Sequence, residues 1–147
     1  MDQNPPSAEK STTLVDPTLS EPRSKDYFKE RDGEVFAGAH ILVDLWGADR
    51  LDDIDYIEEG LRKAIDACDA TLLHIHLHRF STGGGISGVA VLAESHISVH
   101  TWPERGFAAF DIFMCGACVP ELALPVLQKH FKPKRMTNDL VKRGLIG

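Results

Sequence analysis

The chain has 147 residues, of which 43% are hydrophobic, and its 22 acidic and 16 basic residues give a net charge of −6. This length supplies one sizeable core but not two ordinary domains, so we expect a single domain. No basic block offers a footprint for phosphates, and no apolar run approaches the ~20 residues that span a bilayer. We therefore expect a soluble, cytoplasmic protein that binds neither nucleic acid nor membrane.

The first 32 residues contain four prolines among Ser, Thr, Lys and Glu, with few apolar side chains to offset the entropy of ordering. This composition predicts a disordered leader over residues 1–32, followed by one folded domain over residues 33–147. The three cysteines, Cys68, Cys115 and Cys118, are an odd number in a chain without an export signal. A disulfide framework is therefore not expected.

Hydrophobic periodicity separates strands from helices in the rest of the chain. Apolar residues spaced three or four apart follow Asp52 and Asp53, where acidic groups favour a helix N-terminus. The predicted elements in chain order are a strand over 34–45, a helix over 52–68, strands over 71–80 and 89–92, apolar segments over 97–102 and 107–114, a helix over 119–131 and a strand over 134–141. Long strands with two helices predict an α+β fold, a two-layer sandwich in which helices cover one face of a largely antiparallel sheet.

The most specific motifs are residues 94–104 (ESHISVHTWPE) and 111–116 (DIFMCG), together with His78-Arg79-Phe80 and Ser87-Gly88. In combination they resemble the S-adenosylmethionine decarboxylase proenzymes of bacteria and archaea, and a looser likeness runs from Gly38 to Phe131. An amino acid decarboxylase needs an electron sink, usually pyridoxal phosphate on a lysine. Lys63 and Lys129 lie in predicted helices, and nothing around either resembles a cradle for that cofactor.

The resemblance implies a different cofactor, a pyruvoyl group made from Ser95. The chain would cleave itself between Glu94 and Ser95 into residues 1–94 and 95–147, and the pyruvoyl ketone would form a Schiff base with the substrate amine. By the same resemblance His100 is the base that removes the α-proton of residue 95 during processing, a role suited to a neutral imidazole near pH 7. Ser87 would assist that processing.

Catalytic and binding roles also follow from the resemblance. Cys115 matches the family's proton donor, and a thiol near its ordinary pKa is protonated at pH 7. Glu104 matches an acidic position near the site, where a carboxylate suits a sulfonium substrate. Phe80 and Trp102 are weaker candidates for stacking on that substrate. The family implies a homo-oligomer of processed protomers, at least a dimer, that decarboxylates S-adenosylmethionine to the aminopropyl donor for spermidine biosynthesis.

Two alternatives remain open from the sequence. The segment 80–87 is one residue longer than the commonest family loop, and Arg105 replaces a frequent aromatic residue or histidine, so the pocket could instead serve ornithine or arginine. The non-enzymatic alternative is an uncleaved regulatory paralogue.

His74, His76 and His78 share one strand face and could in principle bind zinc. Three histidines on a solvent-exposed face of a sheet can occur without binding a metal ion, and we expect no metal site here.

Overall fold

The computed structural model describes residues 28–146, so residues 1–27 of the predicted leader lie outside it. The described strands are β1 (Lys29–Arg31), β2 (Glu34–Phe36), β3 (Gly38–Trp46), β4 (Leu72–Arg79), β5 (Ile86–Leu92), β6 (Ser95–Trp102), β7 (Phe107–Met114) and β8 (Arg135–Arg143). The described α-helices are α1 (Ile54–Ala67) and α2 (Ala123–Phe131), and two 3₁₀ turns cover Pro103–Arg105 and Pro120–Leu122.

Six strands form one antiparallel sheet in the order β4-β5-β6-β7-β3-β8. Alternate residues of the central strands, such as Ile41, Val99 and Phe110, join Leu61 of α1 and Leu127 of α2 in one buried core. The two helices thus cover one face of the sheet, and the predicted α+β sandwich is confirmed. The opposite face, which we call the open face, carries the other set of alternating side chains.

Both helices begin where their sequences favour it. The Asp53 side chain accepts a hydrogen bond from the backbone N–H of Tyr56 at 3.1 Å and caps α1. The segment predicted as one helix over 119–131 instead starts with the 3₁₀ turn at Pro120 and becomes α-helical at Ala123. The Pro125 ring excludes an α-helical carbonyl four residues earlier, at Glu121, which prevents one continuous helix.

The end of the predicted leader differs from expectation, because Lys29–Arg31 is a strand paired with Glu34–Phe36. Asp32 and Gly33 form the turn between these strands, with φ of +55° and +80°. Positive φ at both central residues is typical of the type I′ turn that joins two-residue hairpins. The folded part therefore begins before residue 33. Within residues 28–146, no helix is long and apolar enough to cross a membrane.

Candidate active site

The Glu94-Ser95 bond lies in the tight turn between β5 and β6. Leu92 pairs with Ser95, so Ala93 and Glu94 alone make the reversal of the chain. Glu94 has φ of +60°, in the left-handed region that costs a residue with a side chain about 1–2 kcal/mol. The residue that would donate the carbonyl for self-cleavage is thus held in a strained conformation, which cleavage would release.

Cys115 contacts both sides of this bond. It directly follows β7, and its backbone N–H donates to Ser95 Oγ at 3.3 Å. Its thiol donates a short hydrogen bond to the carbonyl oxygen of Glu94. Ser95 is 9% exposed, whereas Cys115 is half-buried and Glu94 is exposed, so the attacking hydroxyl is the part of this cluster that is screened from solvent. We call these three residues the cleavage cluster.

Burial raises the pKa of the Cys115 thiol above its ordinary value. The hydrogen bond with Ser95 offsets part of that rise, whereas the negative charges of Glu94 and Cys118 add to it. The thiol is therefore protonated at neutral pH. It can donate a hydrogen bond to the Glu94 carbonyl in the uncut chain and can hold a proton for transfer afterwards.

His100 and Ser87 lie together, but away from the cleavage cluster. They are directly opposite each other on β6 and β5, and their side chains share the open face. His100 lies five positions after Ser95 on the extended strand, a distance of roughly 16 Å. An odd separation also places the two side chains on opposite faces of the sheet. The structure thus does not bring His100 to Ser95 within one chain.

The three predicted substrate-binding residues gather beside His100. Phe80, Trp102 and Glu104 line a shallow cleft of about 230 Å³ with His100 and Thr101. Thr101 fixes the floor of the cleft, because its hydroxyl donates to the carbonyl of Leu51 at 2.8 Å. The aromatic side chains are open to solvent, with Phe80 68% and Trp102 40% exposed. This second group, which we call the binding cleft, presents apolar rings and one carboxylate.

The histidines at 74, 76 and 78 are exposed on the edge strand β4, on the open face. Among residues 28–146, no three His, Cys, Asp or Glu side chains are arranged to hold a metal ion.

A hydrogen-bonded group of three side chains on the same face was not predicted from the sequence. His40 Nε2 lies 3.0 Å from Asp111 Oδ1, and the Ser98 hydroxyl donates to Asp111 Oδ2 at 3.2 Å.

Sequence analysis also missed Lys29, which was assigned to the leader. Lys29 is 6% exposed, and its ammonium donates to the carbonyl oxygens of Gly116 and Cys118, beside the cleavage cluster. The Asp32-Gly33 pair was an available signal, because Asp-Gly between two short strands is a strong hairpin pattern. It would have moved the start of the folded domain ahead of Lys29.

Comparisons with known proteins point to one family. The sequence pattern of the S-adenosylmethionine decarboxylase family matches residues 39–144. An S-adenosylmethionine decarboxylase proenzyme of Thermomicrobium roseum is 46% identical over 110 residues, which cover 74% of this chain and 95% of the relative. One from Methanococcus maripaludis strain C7 is 49% identical over 112 residues, 74% of this chain and 91% of the relative.

A solved structure gives the same result. The crystal structure of the adenosylmethionine decarboxylase from Aquifex aeolicus is 34% identical, with a TM-score of 0.68, and the match covers 76% of this chain and 94% of that one. Fold and site define a self-processing decarboxylase of the pyruvoyl-dependent class. The chain belongs to the S-adenosylmethionine decarboxylase family, and the family expected from the sequence is confirmed.

Proposed function

We propose that this chain cleaves itself between Glu94 and Ser95 and then decarboxylates S-adenosylmethionine, which yields the aminopropyl donor for spermidine biosynthesis. The observation that carries this proposal is the position of Cys115. One residue binds the hydroxyl that would attack, Ser95 Oγ, and the carbonyl that would be attacked, that of Glu94. An uncleaved regulatory protein would have no need of this arrangement beside a strained turn.

Processing begins when Ser95 Oγ attacks the Glu94 carbonyl carbon. A C–O bond forms, the peptide C–N bond breaks, and the hydroxyl proton passes to the nitrogen, which leaves an ester. Negative charge develops on the Glu94 oxygen during this step, where the Cys115 thiol already donates a hydrogen bond. Relief of the left-handed conformation at Glu94 favours the same direction.

His100 then removes the α-proton of residue 95, and the Glu94 carboxylate leaves. The resulting dehydroalanine reacts with water and loses ammonia, so that residue 95 becomes the pyruvoyl group. This group supplies the electron sink for loss of carbon dioxide from the substrate. Its surroundings fit, because residue 95 is buried and the backbone N–H of Cys115 offers a donor beside it. The Cys115 thiol holds the proton that returns to the substrate α-carbon.

The separation of Ser95 from His100 supports a site assembled between two copies of the chain. Each protomer offers a cleavage cluster at one end of β6, and His100, Ser87 and the binding cleft at the other end. A two-fold axis would bring the cleavage cluster of each copy to His100, Ser87 and the binding cleft of the other copy, which makes two equivalent sites. The open face supplies apolar contacts for such a dimer, since Leu42, Trp46, Val91 and Val141 are exposed there.

The binding cleft suits a cationic substrate that carries an aromatic base. The Glu104 carboxylate attracts the sulfonium charge, and the exposed rings of Phe80 and Trp102 can stack on adenine or face the cation. Ornithine and arginine lack the base, so the two rings could face their side-chain cations but would have no adenine to stack on. We place the protein in the cytoplasm, where its three unpaired cysteines would stay reduced.

The test is a decarboxylation assay with carboxyl-labelled S-adenosylmethionine, ornithine and arginine, with Ser95→Ala as the uncleavable control. We expect release of labelled carbon dioxide from S-adenosylmethionine and none from the control. Turnover of ornithine or arginine in preference would overturn the substrate assignment but leave the self-cleavage intact. An intact wild-type chain on a denaturing gel, inactive on all three substrates, would favour the regulatory alternative.

A further inference from the structure

Lys29 joins the N-terminal hairpin to the loop that carries Cys115. The side chain leaves β1, and its ammonium donates to the Gly116 carbonyl oxygen at 2.9 Å and to that of Cys118. The hairpin lies ahead of residue 39, where the match to the family begins. Lys29 therefore lies outside the family match, and it reaches the site through a contact with Gly116, 87 positions later in the chain.

The loop that Lys29 holds is short and sharply turned. Gly116, with φ of +65°, lets the chain reverse immediately after Cys115. Two carbonyls of this five-residue loop, 115–119, accept from one ammonium, and hydrogen bonds to a charged donor are stronger than neutral ones. Because Cys115 is the first residue of the loop, these bonds restrict how far its thiol can move from the Glu94 carbonyl.

Docking of the hairpin does not require Lys29 in particular. Arg31 already donates to Glu121 at 2.6 Å, and Lys142 pairs with Glu34. A lysine side chain is rarely buried unless its ammonium has partners, because removing an ammonium from water costs free energy. Burial and the nearby Arg31 guanidinium lower the pKa of Lys29, whereas Cys118, Glu121 and Cys115 offset part of that fall.

We propose that Lys29 is a positioning residue for the decarboxylation: it fixes the Cys115 loop, and its positive charge stabilises the thiolate that remains when Cys115 gives up its proton. This rests on the proposed role of Cys115. The charged groups that face the thiol are Glu94 and Cys118, which disfavour the thiolate, and Lys29, which favours it. Loss of the Lys29 charge would therefore make Cys115 a weaker acid as well as a less well-placed one.

The experiment compares Lys29→Met, Lys29→Arg and the matched control Lys142→Met, which removes a lysine that holds the same hairpin away from the loop. For each, the processed fraction, kcat and KM are measured. We expect kcat of Lys29→Met to fall by roughly 10- to 100-fold, the scale of a misplaced catalytic group, with little change in KM. Lys29→Arg should recover most of the loss, and Lys142→Met should stay near wild type.

A second readout reports the thiol without turnover. In a Ser95→Ala, Cys118→Ala background, the rate of alkylation of Cys115 is followed against pH by peptide mass spectrometry. The midpoint, the pH at which the alkylation rate of Cys115 is half its maximum, should be higher in Lys29→Met and unchanged in Lys142→Met. If Lys29→Met does not fold, Lys29→Gln replaces it, since an amide still donates to the carbonyls but carries no charge. A neutral variant with the kcat and midpoint of the control overturns the proposal. Full turnover in Cys115→Ala would instead overturn the proposed role of Cys115 itself.

Discussion

The thiol of Cys115 donates a hydrogen bond to the carbonyl oxygen of Glu94, while the backbone N–H of the same residue donates to Ser95 Oγ. A residue expected to act after cleavage therefore already contacts the bond to be cleaved. Its raised pKa, caused mainly by burial, keeps the thiol protonated for both tasks. In the uncut chain, the proposed proton donor thus already contacts both residues of the proposed cleavage site.

Replacing Cys115 with alanine should slow self-cleavage and reduce turnover of whatever protein is processed. Removing a positioned acid typically costs on the order of 10²–10⁴ in rate, and we expect at least the lower end. Turnover is measured per processed chain, counted by intact mass. Cys118→Ala, three residues along the same loop, is the matched control and should retain near wild-type turnover. Normal turnover in fully processed Cys115→Ala would refute the assignment.

His100→Ala should accumulate uncut or ester-linked chain, because the base that removes the α-proton of residue 95 is missing. Hydroxylamine would split the ester and so reveal it on a gel. Co-expression with Ser95→Ala tests whether His100 acts across a dimer. A mixed dimer has one site with both an intact Ser95 and an intact His100, contributed by different chains. Cleavage of the tagged His100→Ala chain in the mixture is expected, and no rescue would place both residues in one chain's site.

The pH dependence of kcat follows from the direction of the Cys115 pKa. The thiol donates its proton, so turnover requires the protonated form, which is present below its pKa and is lost as the pH rises through it. Since burial raises that pKa, the alkaline decline of kcat should lie above the ordinary thiol value of about 8.5. Steady-state assays at saturating substrate across this range check it. A decline that starts well below that value would contradict the Cys115 thiol as the donor.

Two truncations separate the predicted N-terminal leader from the hairpin that follows it. Deletion of residues 1–27 should leave both processing and turnover near wild type, because the composition of that segment offers little to bury. Deletion of residues 1–32 also removes Lys29 and should lower kcat in the same way as Lys29→Met. Equal kcat in the two truncations would argue against the role given to Lys29, and loss of cleavage in the shorter deletion would make the leader part of the fold.

Much of the architecture could be predicted because it rests on local patterns. The apolar segment over 107–114 coincides with β7, and α1 is shorter than its predicted range by Asp52 and by its capping residues Asp53 and Cys68. The contact of Lys29 with the Cys115 loop could not be predicted in this way, because it joins distant parts of the chain. The separation of Ser95 from His100 could have been predicted, since an odd spacing on a strand puts two side chains on opposite faces. The role of His100 as the base for residue 95 implied instead that the two residues lie close together.

Self-cleavage at the Glu94-Ser95 bond is the claim on which the account depends, and intact mass spectrometry of the purified protein tests it most directly. We predict two chains, residues 1–94 and 95–147, the second blocked to N-terminal sequencing and lighter than its unmodified sequence by the difference between serine and pyruvoyl. Ser95→Ala, prepared in parallel, should remain a single chain. A wild-type protein that stays at full length after prolonged incubation would contradict the account.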